Sequence, residues 1–226
     1  MSTDGHCAPP ASTLAGEQGQ KAPFIETAPK NAQRGSQTVI GLDISLTRTG
    51  IALWRDGHMT TTSTVSQPIG AQSWDERNTR IVGQTGSIIR WLSHNAWTDG
   101  QPYADLAVIE APILHGPQTG SFFDRAQLWG SVYSKLRSSG WRIPVAVVNV
   151  ATLKAWATGK GNADKAMMLH AARREWPGIP NHDEADSAWL AAMGAAKLGH
   201  EPVEMTAWRV SGLTKGDWPL DGLETL

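Results

Sequence analysis

Four carboxylates in this sequence are placed where they could share one centre. Val39-Ile40-Gly41-Leu42 is a short apolar run that ends at Asp43, and Leu106-Ala107-Val108-Ile109 is a second that ends at Glu110. If these runs are neighbouring parallel strands, their carboxyl ends lie on one sheet edge, where open α/β sheets bind ligands. Asp183 and Asp186 are three residues apart in a helical pattern and so share a face. Four acids at one place repel one another unless cations neutralise them. An all-oxygen set with no His or Cys framework suits Mg²⁺ or Mn²⁺. Two such ions about 3.5–4 Å apart form the clamp of in-line phosphoryl transfer, and Asp43 is then the candidate bridge between them. Each piece also has a plainer use. Asp43 leads into a polar turn that its own side chain could form, and Asp183-Glu184-Ala185-Asp186 resembles the acidic, capping-box start of a helix.

The elements that must position these acids can be read in order. Val39 to Asp43 and Ile51 to Trp54 flank Ile44-Ser45-Leu46-Thr47-Arg48-Thr49-Gly50 as a hairpin. After the Asp56-Gly57 turn, the threonine-rich run Met59 to Ser66 predicts a third antiparallel strand. Ile81, Val82, Ile88, Ile89, Trp91 and Leu92 recur at helical spacing within Trp74 to His94. The strand before Glu110 is apolar throughout, as in strands covered on both faces. Gly116 to Ser121 reads as a loop, and Phe122 to Arg137 as a helix with Phe123, Ala126, Trp129 and Val132 or Tyr133 along one side. Ile143 to Val150 is a further strand, followed by a helical segment, Ala151 to Ala157. Two more helices follow, Ala163 to Trp176 with Asn162 as its cap, and Asp183 to Leu198 closed by Gly199. This order predicts an α/β fold, a mixed sheet with helices on its faces.

Residues 1–37, rich in Ala, Pro, Gln, Gly, Ser and Thr, are expected to be a disordered arm. Residues 38–199 form the expected domain, and 200–226 an extension carrying Trp208 and Trp218 without a clear period. A chain of 226 residues has room for one ordinary domain. No apolar run approaches 18 residues, so no membrane span is expected. The first twenty residues lack the basic start and apolar stretch of a secretory signal. The single cysteine, Cys7, excludes an internal disulfide and a thiolate metal cage, which points to a reducing cytoplasm. The net charge of -1 conceals a local excess, because Arg125 to Arg174 holds nine basic residues and one acid, Asp164. Such a cluster is informative when it lies beside a catalytic centre and is otherwise a solvated face. The histidines are scattered singly, so no zinc site is expected; His182 abuts Asp183 and could orient water. Trp129, Trp156 and Trp189 read as core.

Taken together, Gly41-Leu42-Asp43 with Thr49-Gly50, Val108-Ile109-Glu110, Lys154, Gly159 to Lys165, and Asp183-Xaa-Xaa-Asp186-Ser187-Ala188 resemble the RuvC-type Holliday junction resolvases, in the branch common in bacteriophages. The resemblance spans about Thr38 to Leu198 and rests on the order and spacing of all four acids. It implies a ribonuclease H-like fold, with a mixed five-stranded sheet flanked by helices on both faces. It implies that Asp43, Glu110, Asp183 and Asp186 are metal ligands and catalytic residues, and that Lys154 and Lys165 contact the phosphate backbone or stabilise the transition state. The implied activity is that of a crossover junction endodeoxyribonuclease of DNA recombination and repair. It would use two Mg²⁺ per site, or Mn²⁺ as a substitute, and leave 5′-phosphate and 3′-hydroxyl ends in the cytoplasm of a bacterial host.

Elementary physics supports the lysine roles, since a fixed ammonium stabilises the extra charge on a pentacovalent phosphate. Lys160 and Lys165 flank a glycine loop and a helix start, a natural phosphate site. Arg125 and Arg173 complete the expected DNA contacts. A four-way junction has two-fold symmetry, so paired cuts predict a homodimer, packed through Trp74 to His94 and Phe122 to Arg137. The sequence departs from the family where an aromatic should follow the strand glutamate. Ile113 and Leu114 stand there, while Phe122 and Phe123 come later and read as core of the next helix.

Other readings compete. Actin-like ATPases and sugar kinases share the strand-Asp-Thr-Gly hairpin but need a second lobe and a second phosphate hairpin. An ordinary ribonuclease H takes its third and fourth acids from separate elements, and a transposase-like order ends in Glu. A flap or fork endonuclease of the same fold, and a junction-binding protein without activity, remain alternatives.

Overall fold

The computed structural model describes residues 37–67, 73–98, 101–102, 104–112 and 121–219. The expected arm, apart from Gln37, lies outside these, as do Ile113, Leu114 and all of the expected loop before Ser121. β1 (Thr38–Asp43) is the sheet's central strand, with every residue from Thr38 to Leu42 buried. β2 (Arg48–Arg55) and β3 (His58–Val65) continue from it as antiparallel neighbours, joined by the Asp56-Gly57 turn with both residues at positive φ. On its other side β1 pairs in parallel with β6 (Leu106–Glu110), and β6 with β7 (Val145–Val148). The order β3-β2-β1-β6-β7 is the expected five-stranded mixed sheet. A two-residue pairing of β4 (Trp97–Thr98) with β5 (Gln101–Pro102) stands apart from it.

Alternation along the central strands divides the core in two. Ile40, Leu42, Ala107 and Ile109 face α1 (Trp74–Asn95) and α2 (Ser121–Arg137), meeting Ile81, Ile88, Leu92, Leu128, Val132 and Leu136. Val39, Leu106 and Val108 face α5 (His182–Lys197), backed by α3 (Val150–Thr158) and α4 (Lys165–Glu175). α5 is buried along most of its length, and its alanines let it lie close on the sheet. Gly194 shows how close, because a Cβ there would come within 2.6 Å of Val108 and 2.7 Å of Val39.

Several expected boundaries move for local chemical reasons. The last strand is confined to Val145–Val148, because Pro144 precedes it and Asn149 leaves it to cap α3, its side chain accepting from the Ala151 amide at 2.8 Å. α4 is capped by Asp164 rather than Asn162, with the Met167 amide 2.8 Å from Oδ1. Asn181 caps α5, so Asp183 lies inside the first turn and is free of that task. The buried side of α2 runs through Leu128, Val132 and Leu136; Phe123 is 60% exposed, against its expected place in the core.

The described part of the extension, residues 200–219, packs on the domain. Asp217 exchanges two 2.9 Å backbone hydrogen bonds with Val147, covering the outer edge of β7. A short helix, α6 (Ala207–Gly212), docks on α3 through Arg209. That buried guanidinium donates to the carbonyls of Trp156 (3.1 Å), Ala157 (3.3 Å) and Glu204 (2.6 Å) and lies 5.4 Å from the Trp156 ring centre. Trp156 and Trp189 are core, as expected. Among the described residues no helix is long and apolar enough to cross a membrane.

Candidate active site

The site begins with strand register. β1 and β6 pair Leu42 with Ile109, so Asp43 and Glu110 follow side by side at the carboxyl ends of two parallel strands. On the other side of β1, Asp43 pairs with Gly50. A Cβ on Gly50 would lie 1.9 Å from the Asp183 carbonyl oxygen, and one on Gly41 would lie 2.0 Å from that of Ser187. Only glycine allows this approach, which sets the first turn of α5 against the ends of β1 and β2. Thr49, buried on the opposite face of β2 where Gln84 of α1 reaches it, donates to the Ser45 carbonyl (2.9 Å) and accepts from the Ser45 amide (3.1 Å), bracing the turn that follows Asp43.

Glu184 turns the other way. Its carboxylate accepts from Thr61 Oγ1 (2.7 Å) and Asn181 Nδ2 (2.9 Å), tying α5 to β3. Asp183 and Asp186, which flank it in the expected i, i+3 relation, face the cavity instead. All four acids therefore line one cavity of about 520 Å³, shared with Lys154, Lys165, His182, Arg125 and Phe122. Lys160 is exposed on the loop before α4, outside this cavity. Arg173 also stays outside, donating to the Ile179 (2.8 Å) and Pro180 (2.7 Å) carbonyls and so holding the loop that presents Asn181.

Electrostatics shows the cost of this convergence. Burial, then the charges of Glu110, Asp186 and Asp183, raises the Asp43 carboxyl far above the usual carboxylate range. Burial and the Asp186 charge push Glu110 up to about 7, and burial with the Asp183 charge pushes Asp186 up to about 6. Lys154 opposes the rise at Glu110 and Asp186, and Lys165 opposes it at Asp43 and Asp186. Asp186 Oδ1 is buried with no hydrogen-bond partner. A carboxylate oxygen in that condition suits a cation, and an all-oxygen set suits a hard one. Among the described residues no three such side chains are drawn into a ready coordination cluster, so the acids share a cavity without forming a closed cage.

Several neighbours carried weak sequence signals or none. Trp129, read as core, is half-buried in the cavity wall, where its indole donates to the Glu110 carbonyl at 2.9 Å and stacks on Tyr133. Phe122, also read as core, lines the cavity. Arg48 lies 3.6 Å from Asp183 Oδ2. His182 Nε2 is 3.0 Å from Lys165 Nζ and 3.3 Å from Asp183 Oδ1. Its position beside Asp183 in sequence was the one signal pointing to it.

Among solved structures the chain is similar to Thermus thermophilus RuvC, with a TM-score of 0.52 and 16% identity over 72% of this chain and 97% of that one. The chain has a RuvC-like fold. T. thermophilus RuvC in complex with a Holliday junction substrate is similar at a TM-score of 0.50 and 13% identity, over 72% and 96% of the two chains. No family model and no curated protein sequence matches. The RuvC-like fold supplies the parallel strand pair and the crossing helix that bring the acids together. More than a quarter of this chain lies beyond the match.

Proposed function

We propose that this protein is a divalent-metal-dependent endonuclease that resolves Holliday junctions and related branched DNA by paired, symmetric nicks. The observation that carries the reading is the meeting of Asp43, Glu110, Asp183 and Asp186, from two strand ends and one helix, in a cavity that also holds Lys154 and Lys165. Acids forced together against their own repulsion are the signature of a site completed by cations. Bound there, two Mg²⁺ or Mn²⁺ ions supply an activated water and stabilise the departing oxygen.

The chain's own residues do the rest. Asp43, between the strand glutamate and the helical pair, would hold the cations together with Glu110, Asp183 and Asp186. Lys165 stabilises the phosphate oxygens as negative charge grows during attack. An ammonium only donates, so in the 3.0 Å contact His182 Nε2 is the acceptor and fixes Lys165 at the cavity. That nitrogen is then unavailable as a donor to Asp183, which leaves the Asp183 carboxylate to Arg48 and a cation. In hydrolysis a water oxygen would bond to phosphorus as the bond to the 3′ oxygen breaks, the water losing a proton to solvent and the departing 3′ oxygen taking one up, which gives 5′-phosphate and 3′-hydroxyl ends. Lys154 and Arg125 line the path of the scissile strand, with Lys160 and Arg173 contacting the backbone further out.

Two nicks related by the junction's symmetry require two such sites, and we propose a homodimer. Trp74 (72% exposed), Val82 and Phe123 leave an apolar surface on α1 and α2, the helices expected at the interface. Side-by-side cleavage of four-way junctions, forks and flaps in Mg²⁺, with Asp186→Asn as the blank, tests the activity. Preferred cutting of forks or flaps would make the protein a broader branched-DNA nuclease, and binding without cutting a junction-binding protein. Sedimentation tests the dimer, and a monomer that cuts both strands in one encounter would refute it.

A further inference from the structure

The second tail tryptophan is accounted for by packing, with Trp218 Nε1 donating to the Leu213 carbonyl at 2.8 Å and Lys197 Nζ lying 5.4 Å from its ring centre. Trp208 is not. It stays 50% exposed although α6 is already anchored by Arg209 and by the close seat of Gly212 on Trp156. Its indole lies against Gly159, where a Cβ would meet Cε2 at 3.8 Å, and it lines a groove of about 270 Å³ between α3 and α6. Thr152, Ser211 and Lys215 line the same groove, and the indole N–H of Trp156 in its wall is buried without a partner.

Two properties say what the groove takes. The first is continuity with the catalytic cavity. α3 is a shared wall, since Val150 and Lys154 line the cavity while Ala151, Thr152 and Ala155 line the groove. The second is charge. Lys215 lines the groove, Lys160 is exposed next to Gly159 in its wall, and no acid lines it.

We infer that this groove is a second DNA site, receiving the strand that leaves the catalytic cavity across α3, with Trp208 as a stacking face for a base and Lys215 and Lys160 on phosphates. Aromatic faces beside cationic rims are the means by which proteins hold single strands without reading sequence. The inference rests on the nuclease reading, and its test separates the two. Binding of a labelled four-way junction is measured by anisotropy in the Asp186→Asn background, so that no DNA is cut. Trp208→Ala is expected to weaken binding about fivefold or more, and Trp208→Phe to recover most of it. Lys215→Ala is expected to lower the slope of log affinity against log salt by about one. If Trp208→Ala does not fold, the Lys215→Ala slope decides alone. Parental affinity in Trp208→Ala, or a parental slope in Lys215→Ala, overturns the groove while leaving the nuclease reading intact. Failure of the Asp186→Asn protein with an intact groove to bind any branched DNA overturns both.

Discussion

Gly50 and Asp183 meet backbone to backbone, at a distance where a side chain on residue 50 would stand 1.9 Å from the Asp183 carbonyl oxygen. Asp43 pairs with Gly50 across the hairpin, so this contact decides how far the strand acid stands from the helical pair. Gly50→Ala must push α5 away from β2. The expected loss is about 1–3 kcal/mol of stability, typical of overpacking, together with weaker Mn²⁺ binding. Urea unfolding and calorimetric titration read the two effects, and a variant equal to the parent in both would show that the contact does not set the site.

Metal-free protein is expected to lose stability as pH rises. Glu110 titrates near 7 and Asp186 near 6 in the folded chain, against about 4.3 and 3.9 when unfolded. Between those limits the native state holds more protons than the unfolded state, so stability is full below about pH 4 as far as these groups are concerned. It falls through pH 6 to 7 by an amount on the order of a few kcal/mol. Melting in EDTA from pH 5 to pH 8 shows the fall, and Mn²⁺ at pH 8 should reverse it. A melting temperature that climbs over this range in EDTA would contradict the proposed repulsion.

Asp186→Asn separates function from stability. Removing one charge relieves Glu110 and Asp43, both of which are raised by Asp186. In EDTA at pH 8 the variant should melt higher than the parent, while cleavage is abolished and Mn²⁺ affinity falls. A variant that melts lower in EDTA would mean that Asp186 serves the fold rather than a cation.

Lys165→Ala is expected to keep junction binding and to cut turnover about 10²- to 10³-fold, the range for losing a fixed charge at a transition state. His182→Ala acts through the same ammonium and should show a smaller loss. Single-turnover cleavage at saturating protein measures both, and unchanged rates in Lys165→Ala would remove the lysine from the chemistry.

Arg209→Ala tests whether the tail belongs to the folded unit. Three backbone carbonyls lose a buried charged donor, for a cost of about 2–4 kcal/mol. A single, lower denaturant transition is expected. A transition identical to the parent's would mean that α6 is dispensable to the domain.

The sequence by itself determined the main strands and helices up to α5 and their order, but not β4, β5 or α6. Periodicity is a local property, so the strands before Asp43 and Glu110, the helical spacing of Asp183 and Asp186, and the α/β class were all legible from residue types along the chain. The five-stranded sheet followed from resemblance to RuvC-type resolvases, carried by the spacing of the acids. Tertiary structure alone decided which faces those elements present. Trp129 and Phe122 have the composition of core residues, yet α2 is rotated so that Leu128, Val132 and Leu136 are buried and the two aromatics reach the cavity. Which residue caps α4 and α5 depended on side chains competing for the same free amides, and Asp164 and Asn181 won over Asn162 and Asp183. The tail had no period to read because its order comes from contacts with β7 and α3, which are distant in sequence. The approach of Gly41 and Gly50 to α5 belongs to the same class. A missing side chain is visible in sequence, but what comes to occupy its space is decided only when the chain has folded.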